Sequence, residues 1–385
     1  VADSYRRCTI FPSVFRLRIT FNGYRKPSTR SSSSFSFPNN AVANYTGFHT
    51  VRKDTMKIGV LTQEKYLKNG IQTFEANLIP YLLEDERFEP IFHTVNNDYP
   101  LSRTLQTLKL RKKVKRAGSD YDKIFIPAQN RLRFDPRDVE AEIIPYVHDI
   151  LPHTTNYSTG RNKIFRPIID AAMNFLDADY LPHLSHVDRA ITASYFSRKE
   201  LDQRTSFSGH ATTIYQGVDD MPEPDFENDR DIDLLYVGID LPRKNPRLLR
   251  KSLEKAEEEG YNVATVNFEE TDFPGESYTN ISNEKLAELY ERSRFYLHPS
   301  YLEGFGRGPV EAQRYGAVPL ALDNDINNEI LGEDEISFFH IHSVRDVLYH
   351  LKNGVRPRNR SLAYSNSRKY RWSETRKKVK EVLLE

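Results

Sequence analysis

Apolar positions along this chain recur with two periods. Short continuous runs at Lys57-Ile-Gly-Val-Leu-Thr62, Pro90 to Val95, Lys123 to Pro127 and Glu142 to His148 predict buried strands. After the first of them comes a loop with Asn69-Gly70, and then Ile71, Phe74, Leu78 and Leu82 recur at helical spacing. A second series follows Asp219, with strands predicted at Asp233 to Gly238, Asn262 to Phe268, Phe295 to His298 and Val318 to Leu322, interleaved with helices at 246–259, 283–293 and 309–315. Strands alternating with helices predict α/β architecture with parallel sheets. The acidic, proline-containing stretch Met221 to Arg230 has no period and reads as a linker between two doubly wound domains, 56–220 and 231–365, followed by a helical segment at 366–385. Ligands of such sheets bind outside the carboxyl ends of the strands, so a cleft between the domains is the expected site.

Composition narrows the class. The 385 residues carry 55 Lys+Arg and 54 Asp+Glu, a net charge of +1 that favours neither nucleic acid nor anionic membrane, and nucleic acid is not an expected partner. A single cysteine, Cys8, excludes an intrachain disulfide and a cysteine-based zinc finger, and favours a reducing, cytoplasmic setting. Mean hydropathy is −0.64, and no apolar run approaches the ~20 residues of a membrane span. The charge is unevenly spread. Residues 1–55 hold nine basic and two acidic groups, a net of +7, which leaves 46 basic and 52 acidic groups on the rest. That Ser- and Arg-rich extension shows no hydrophobic period and is expected to be disordered. Its composition also resembles a transit peptide, but Met56 directly before a clean strand favours a folded protein starting there.

The stretch that carries chemistry is His298-Pro-Ser-Tyr-Leu-Glu303-Gly-Phe-Gly-Arg-Gly-Pro-Val-Glu311-Ala-Gln-Arg-Tyr-Gly316-Ala-Val-Pro319. A strand ends at His298, a loop with three glycines follows, and Pro309 suits the first position of a helix. Free amides at a helix start, approached closely because of the glycines, form an anion site fit for a diphosphate. Glu311, placed by this reading in the first helical turn, can accept from both hydroxyls of a ribose, and Glu303 from a second sugar. Two acceptors bracketing an amide-rich loop suit a nucleotide sugar. On spacing alone, two solvated carboxylates flanking a turn are the commoner arrangement.

The whole string resembles the signature of retaining glycosyltransferases of family 4, in which two Glu eight positions apart lie within Glu-Gly-Phe-Gly, before Glu-Ala and a later Gly-x-Pro. The resemblance covers nearly all of 57–385 and implies the GT-B fold of two Rossmann-like domains. The first would be the acceptor domain and the second the nucleotide-sugar domain. It implies that Glu303 contacts the donor sugar, that Gly304, Phe305 and Gly306 meet its phosphates and that Glu311 meets the ribose. Tyr236-Val-Gly238 followed by Pro242-Arg243-Lys244-Asn245 is similar to the family's glycine strand end and basic pair, whose cations neutralise the leaving diphosphate. Ile239 stands where many relatives have arginine. Asn69-Gly70 resembles a paired-glycine loop and would place Gly70 at the donor, and Ile144-Pro-Tyr-Val-His148-Asp149 resembles the strand that brings an imidazole to the cleft. The segments Ile191 to Ser197 and Gln216-Gly-Val-Asp219 look like structural landmarks. Tyr370-Arg-Trp372-Ser resembles the region whose helix crosses back to the first domain, with Trp372 as a packing residue.

The expected activity is therefore transfer of a hexose from a UDP- or GDP-linked donor to the hydroxyl of a glycan, lipid or small molecule, with retention of configuration. His148, Glu303, Arg243 and Lys244 form the expected catalytic set, and Gly70, Gly238, Gly304, Phe305, Gly306 and Glu311 the donor contacts. A binding protein that has lost catalysis is the rival reading, kept open by Ile239. No cofactor and no metal are expected. Asp-x-Asp triplets at Asp177/Asp179, Asp231/Asp233 and Asp323/Asp325 lack a metal-site context. The basic run at 109–116, preceded by Leu101, Leu105 and Leu108, suits peripheral contact with an anionic inner membrane face, against the commoner reading of a solvated helix face.

Overall fold

The computed structural model describes residues 56–63, 70–93, 100–150, 180–238, 241–267, 271–332 and 337–385. The expectations for 1–55, Asn69, Asp177/Asp179 and Ile239 lie outside them. Two six-stranded sheets organise the chain. The first contains β1 (Ile58–Gln63), β2 (Phe88–His93), β3 (Lys123–Ile126), β4 (Glu142–Val147), β5 (Arg189–Thr192) and β6 (His210–Thr213), in the order β2-β1-β3-β4-β5-β6. The second contains β7 (Ile232–Val237), β8 (Val263–Asn267), β9 (Glu276–Thr279), β10 (Ser293–His298), β11 (Val318–Leu322) and β12 (Phe339–Ile341), in the order β12-β11-β10-β7-β8-β9. Every pairing is parallel, with β1 in the middle of its registers: Ile58 lies opposite Phe88 on one side and Lys123 on the other. Eleven helices are described. The first domain holds α1 (Gly70–Leu83), α2 (Pro100–Ala117), α3 (Leu181–Leu184) and α4 (Tyr195–Arg204). The second holds α5 (Pro246–Glu258), α6 (Asn283–Arg292), α7 (Arg307–Arg314), α8 (Asp325–Leu331), α9 (Val344–Asn353) and α10 (Pro357–Ser367). The last, α11 (Trp372–Leu384), leaves the second domain.

Parallel strands covered on both faces need apolar residues at consecutive positions, and Ile124, Phe125 and Ile126 of β3 are all fully buried. The helical spacing read from sequence faces the same core. Phe74, Leu78 and Leu82 of α1 pack in one cluster with Ile58, Val60, Ile144 and Tyr146, and with Trp372, Val379 and Leu383 of α11. The C-terminal helix thus returns to the first domain, where Arg376 donates to the carbonyl of Asn77 (2.8 Å) and Lys380 pairs with Asp85 (2.8 Å). Phe305, Val310 and Ile326 of the second domain join the same cluster, so the domains share core at this point.

Four strands, β5, β6, β9 and β12, have no counterpart among the strands predicted from the hydrophobic pattern. Of these β6, β9 and β12 are sheet edges, and the four residues of β9, Glu276-Ser-Tyr-Thr279, are exposed or half-buried, so no apolar run marks β9. The stretch 221–230 forms no helix or strand, yet it is strapped to the second domain. Arg360 donates to the carbonyls of Phe226 (2.9 Å) and Asn228 (3.0 Å), and the buried Arg230 to those of Ser293 (2.8 Å) and Tyr315 (2.7 Å).

Candidate active site at the interdomain contact

Numbered within its own domain, the second sheet runs 6-5-4-1-2-3, a Rossmann order whose topological switch lies between β7 and β10. The residues after these two strands therefore share one end of the sheet. Beyond β7 and Gly238, the turn Pro242–Lys244 carries Arg243 and Lys244 and leads into α5, capped by Asn245 in left-handed conformation (φ 54°). Beyond β10 runs the loop with Glu303, which ends where Gly306 (φ 83°) starts α7. The two loops are tied together: the Tyr301 amide donates to the Arg243 carbonyl at 2.9 Å, and an Arg243 guanidinium nitrogen to the Leu302 carbonyl at 3.3 Å.

Glu303 is the meeting point. Arg243 Nη1 lies 2.5 Å from its Oε2 and Lys244 Nζ 2.5 Å from its Oε1. Burial works to raise the pKa of this carboxyl, but Arg243 and Lys244 outweigh it and hold Glu303 well below the usual carboxylate range. Lys244 is lowered by its own burial and by Arg243, against the pull of Glu303. His298, at the end of β10, is pushed down to about 3 by burial with Lys244 close by. Its buried Nε2 has no hydrogen-bond partner among the described residues.

The helix after the glycine loop starts at Arg307, two residues before the expected Pro309, because left-handed Gly306 turns the chain into helix at once. Pro309 is then its third residue. Glu311 consequently lies in the second turn and not the first. There it pairs with Arg307 one turn back, accepting from Nη2 at 2.6 Å, and accepts from the Tyr290 hydroxyl at 3.3 Å. Arg307 and Gly308 contribute the free amides of this helix start; Pro309 has none.

The first domain reaches the same loop. The Gly304 backbone packs so tightly on the end of β4 that a Cβ there would collide with the His148 carbonyl oxygen and lie 3.0 Å from Asp149 Cβ. Ser194 Oγ, capping α4, donates to the Gly304 carbonyl at 2.6 Å, and Ser197 Oγ reaches the carbonyls of His148 (2.9 Å) and Gly304 (3.1 Å). The imidazole of His148 is bonded within the first domain. Its Nε2 donates to the Pro127 carbonyl at 2.8 Å, its Nδ1 accepts from Gln216 Nε2 at 2.8 Å, and burial pushes it down to about 4, so the ring is neutral.

The structure thus gathers Arg243, Lys244, Glu303, Gly304, Phe305 and Gly306 with the backbone of His148. Glu311 lies farther along α7, and Gly70 is the first residue of α1. Sequence reasoning missed Gln129, which donates to the Asp149 carbonyl (2.8 Å) and Oδ1 (3.2 Å) and accepts from the His148 amide (3.0 Å). It also missed the buried ion pair of Glu75 and Arg131. Ser194 and Gln216 lay in stretches read only as landmarks. The carboxylates of Asp231 and Asp233 are engaged by Arg292 (2.6 Å) and Arg294 (3.0 Å).

Fold and site define a two-domain α/β protein of GT-B architecture. Solved structures of that shape include Anabaena HepE in complex with UDP-glucose, 16% identical with a TM-score of 0.60, covering 86% of this chain and 99% of that one. The sucrose-phosphate synthase of Thermosynechococcus elongatus is 10% identical with a TM-score of 0.62, covering 86% and 98%. Residues 276–347 match the family described as Glycosyl transferases group 1. Among curated proteins, a putative glycosyltransferase 41 of Sulfolobus islandicus filamentous virus is 36% identical over 149 residues, 37% of this chain and 42% of that protein. The serotype-specific mannosyltransferase WbdA of Escherichia coli is 27% identical over 135 residues, 34% of this chain and 15% of that protein. The chain therefore matches less than half the length of these curated relatives. The family match is confined to a segment of the second domain, whereas the GT-B fold is shared over most of the chain.

Proposed function

We propose that this protein is a glycosyltransferase that moves a hexose from a nucleotide-sugar donor to an acceptor hydroxyl with retention of configuration, in the manner of family 4. The observation that carries the reading is the grip of Arg243 and Lys244 on Glu303 at the switch point of the second sheet, beside the amides that open α7. A diphosphate entering there meets two cations and a helix start, all oriented before it arrives. Arg243 and Lys244 stabilise the charge that develops on the leaving diphosphate, Glu303 accepts from hydroxyls of the transferred sugar, and Glu311 accepts from the ribose. The departing phosphate takes the acceptor's proton on the same face, so no protein nucleophile is required. His148, neutral and doubly hydrogen-bonded, acts by fixing the strand end against the glycine loop and not by carrying charge. With the diphosphate charge offset by protein groups, the reaction proceeds without a divalent metal.

Incubation with UDP-glucose and GDP-mannose tests this. Transfer or slow donor hydrolysis, unaffected by EDTA, is the expected result. Binding without either would favour a non-catalytic nucleotide-sugar-binding protein, and no binding would end the proposal. Within it, Lys244→Ala is expected to lower kcat with little change in donor affinity, and Glu311→Ala to weaken donor binding about tenfold or more; unchanged kinetics in both would remove these roles.

A peripheral membrane contact is part of the same proposal. Lys109, Arg111, Lys112, Lys113, Lys115 and Arg116 of α2 are exposed around the inward-facing Val114, and Leu108 is exposed beside them. Co-sedimentation with anionic vesicles at low salt and its loss at high salt is expected; equal binding to neutral vesicles would refute it. No helix among the described residues is long and apolar enough to cross a membrane.

A further inference from the structure

Asp149 follows the end of β4 and belongs to the first domain, yet the charges that face it belong to the second. Its Cβ abuts the glycine loop, at 3.0 Å from where a Gly304 Cβ would stand. Gln129 donates to its carbonyl oxygen and to Oδ1, which fixes the carboxyl group in place. The charged groups acting on it are Arg243 from the turn after β7 and Glu303 from the loop after β10. On its own element, His148 is neutral. Without a ligand, the cations Arg243 and Lys244 are balanced by the carboxylates Glu303 and Asp149. Binding a nucleotide sugar brings two further negative charges on the diphosphate to this balanced group. Glu303 is held ionised by two direct ion pairs, whereas Asp149 has no ion pair within 4 Å among the described contacts. The excess charge is therefore relieved at Asp149.

Resting on the donor reading above, we infer that Asp149 is a further donor-binding residue, a first-domain carboxyl that takes up a proton from solvent as the nucleotide sugar binds and then donates that hydrogen to the bound donor. No bond to carbon or phosphorus changes in this step; one proton passes from water to a carboxylate oxygen. The ordinary state of the group supports it, since burial, with Glu303 reinforcing and Arg243 opposing, pushes Asp149 up to about 6 even before a second anion arrives.

Calorimetric titration of the full chain with UDP-glucose and with GDP-mannose, in paired buffers of unlike ionisation heat, tests the inference. Neither sugar diphosphate gains or loses a proton of its own near neutrality. The wild-type protein is expected to take up protons on binding, with Kd weakening about tenfold per pH unit between about pH 6.5 and 8. Asp149→Asn keeps the acceptor for Gln129 and is expected to bind with no proton uptake and a flat pH profile. Asp149→Glu is expected to restore the uptake, which a merely structural role for Asp149 would not do. A flat wild-type profile, or an undiminished slope in Asp149→Asn, overturns the inference and leaves the donor reading standing; persistent uptake in that variant would assign the proton elsewhere, with His298 the first group to examine. Failure of both donors to bind the wild-type protein would instead remove the donor reading, and this inference with it.

Discussion

Glu303 is ionised in surroundings that would otherwise protonate it, because each of its oxygens has its own cation. Removing one cation leaves the carboxylate buried with a single partner, so Lys244→Ala is expected to destabilise the fold by about 1–3 kcal/mol in addition to its kinetic effect. Two glycines provide a second residue-scale comparison. Gly260 adopts φ 84° in open space, whereas Gly304 packs directly on the His148 carbonyl. Gly260→Ala adds only backbone strain, about 1–2 kcal/mol. Gly304→Ala forces the two domains apart at their contact and is expected both to cost more in urea unfolding and to raise the donor KM, a change that Gly260→Ala does not produce. A smaller loss for Gly304→Ala would mean that the contact yields freely. Glu303, the glycines and the cation pair were all legible as a motif. Asp149 and Gln129 were not, since their importance comes from neighbours more than ninety residues away or on another strand.

At the scale of elements, the junction between domains is built from helix ends. The amides of Tyr195 and Phe196 that begin α4 donate to the two oxygens of Glu329 on α8, at 2.7 and 2.8 Å, and Lys199 pairs with Asp325 on the same helix at 2.9 Å. A carboxylate on a helix start is favoured by the dipole and by the unpaired amides. Glu329→Ala is therefore expected to cost about 1 kcal/mol and to increase interdomain opening, seen as wider scattering dimensions of the donor-free protein. Unchanged dimensions would show that the serine bridges and the shared core suffice. The stretch Ile191 to Ser197 was legible only as a landmark, and nothing nearby in the chain marks Glu329 as the partner of Tyr195, 134 residues on. Element boundaries failed for local reasons too: α7 starts two residues early because Gly306 can take the left-handed turn that Pro309 cannot.

At the scale of the molecule, burial of imidazoles sets the acid response. His93, His148 and His298 are pushed down to about 3, 4 and 3, chiefly by burial. In the unfolded chain they titrate near their ordinary value of 6.5, so below it the unfolded state binds more protons and stability falls until the folded values are reached. Glu303, depressed in the fold, loses its contribution in the same direction, while the raised Glu75 and Asp149 oppose it by favouring the fold toward acid. The net expectation is a Tm that drops steadily from about pH 7 to 4.5; a constant Tm over that range would contradict the buried, neutral state of these rings. The linear chain determined eight of the twelve strands and the helices that follow the clearest periodic runs, because periodicity is a local property of side chains that must face a core. It also carried the Arg243-Lys244 pair and the Glu303-Gly-Phe-Gly306 run as two separate motifs, because each is contiguous within one loop. Tertiary structure alone decided strand order, the edge strands, which oxygen meets which cation, and the meeting of the β4 end with the glycine loop. These depend on distances between residues remote in sequence, and no local spacing encodes them.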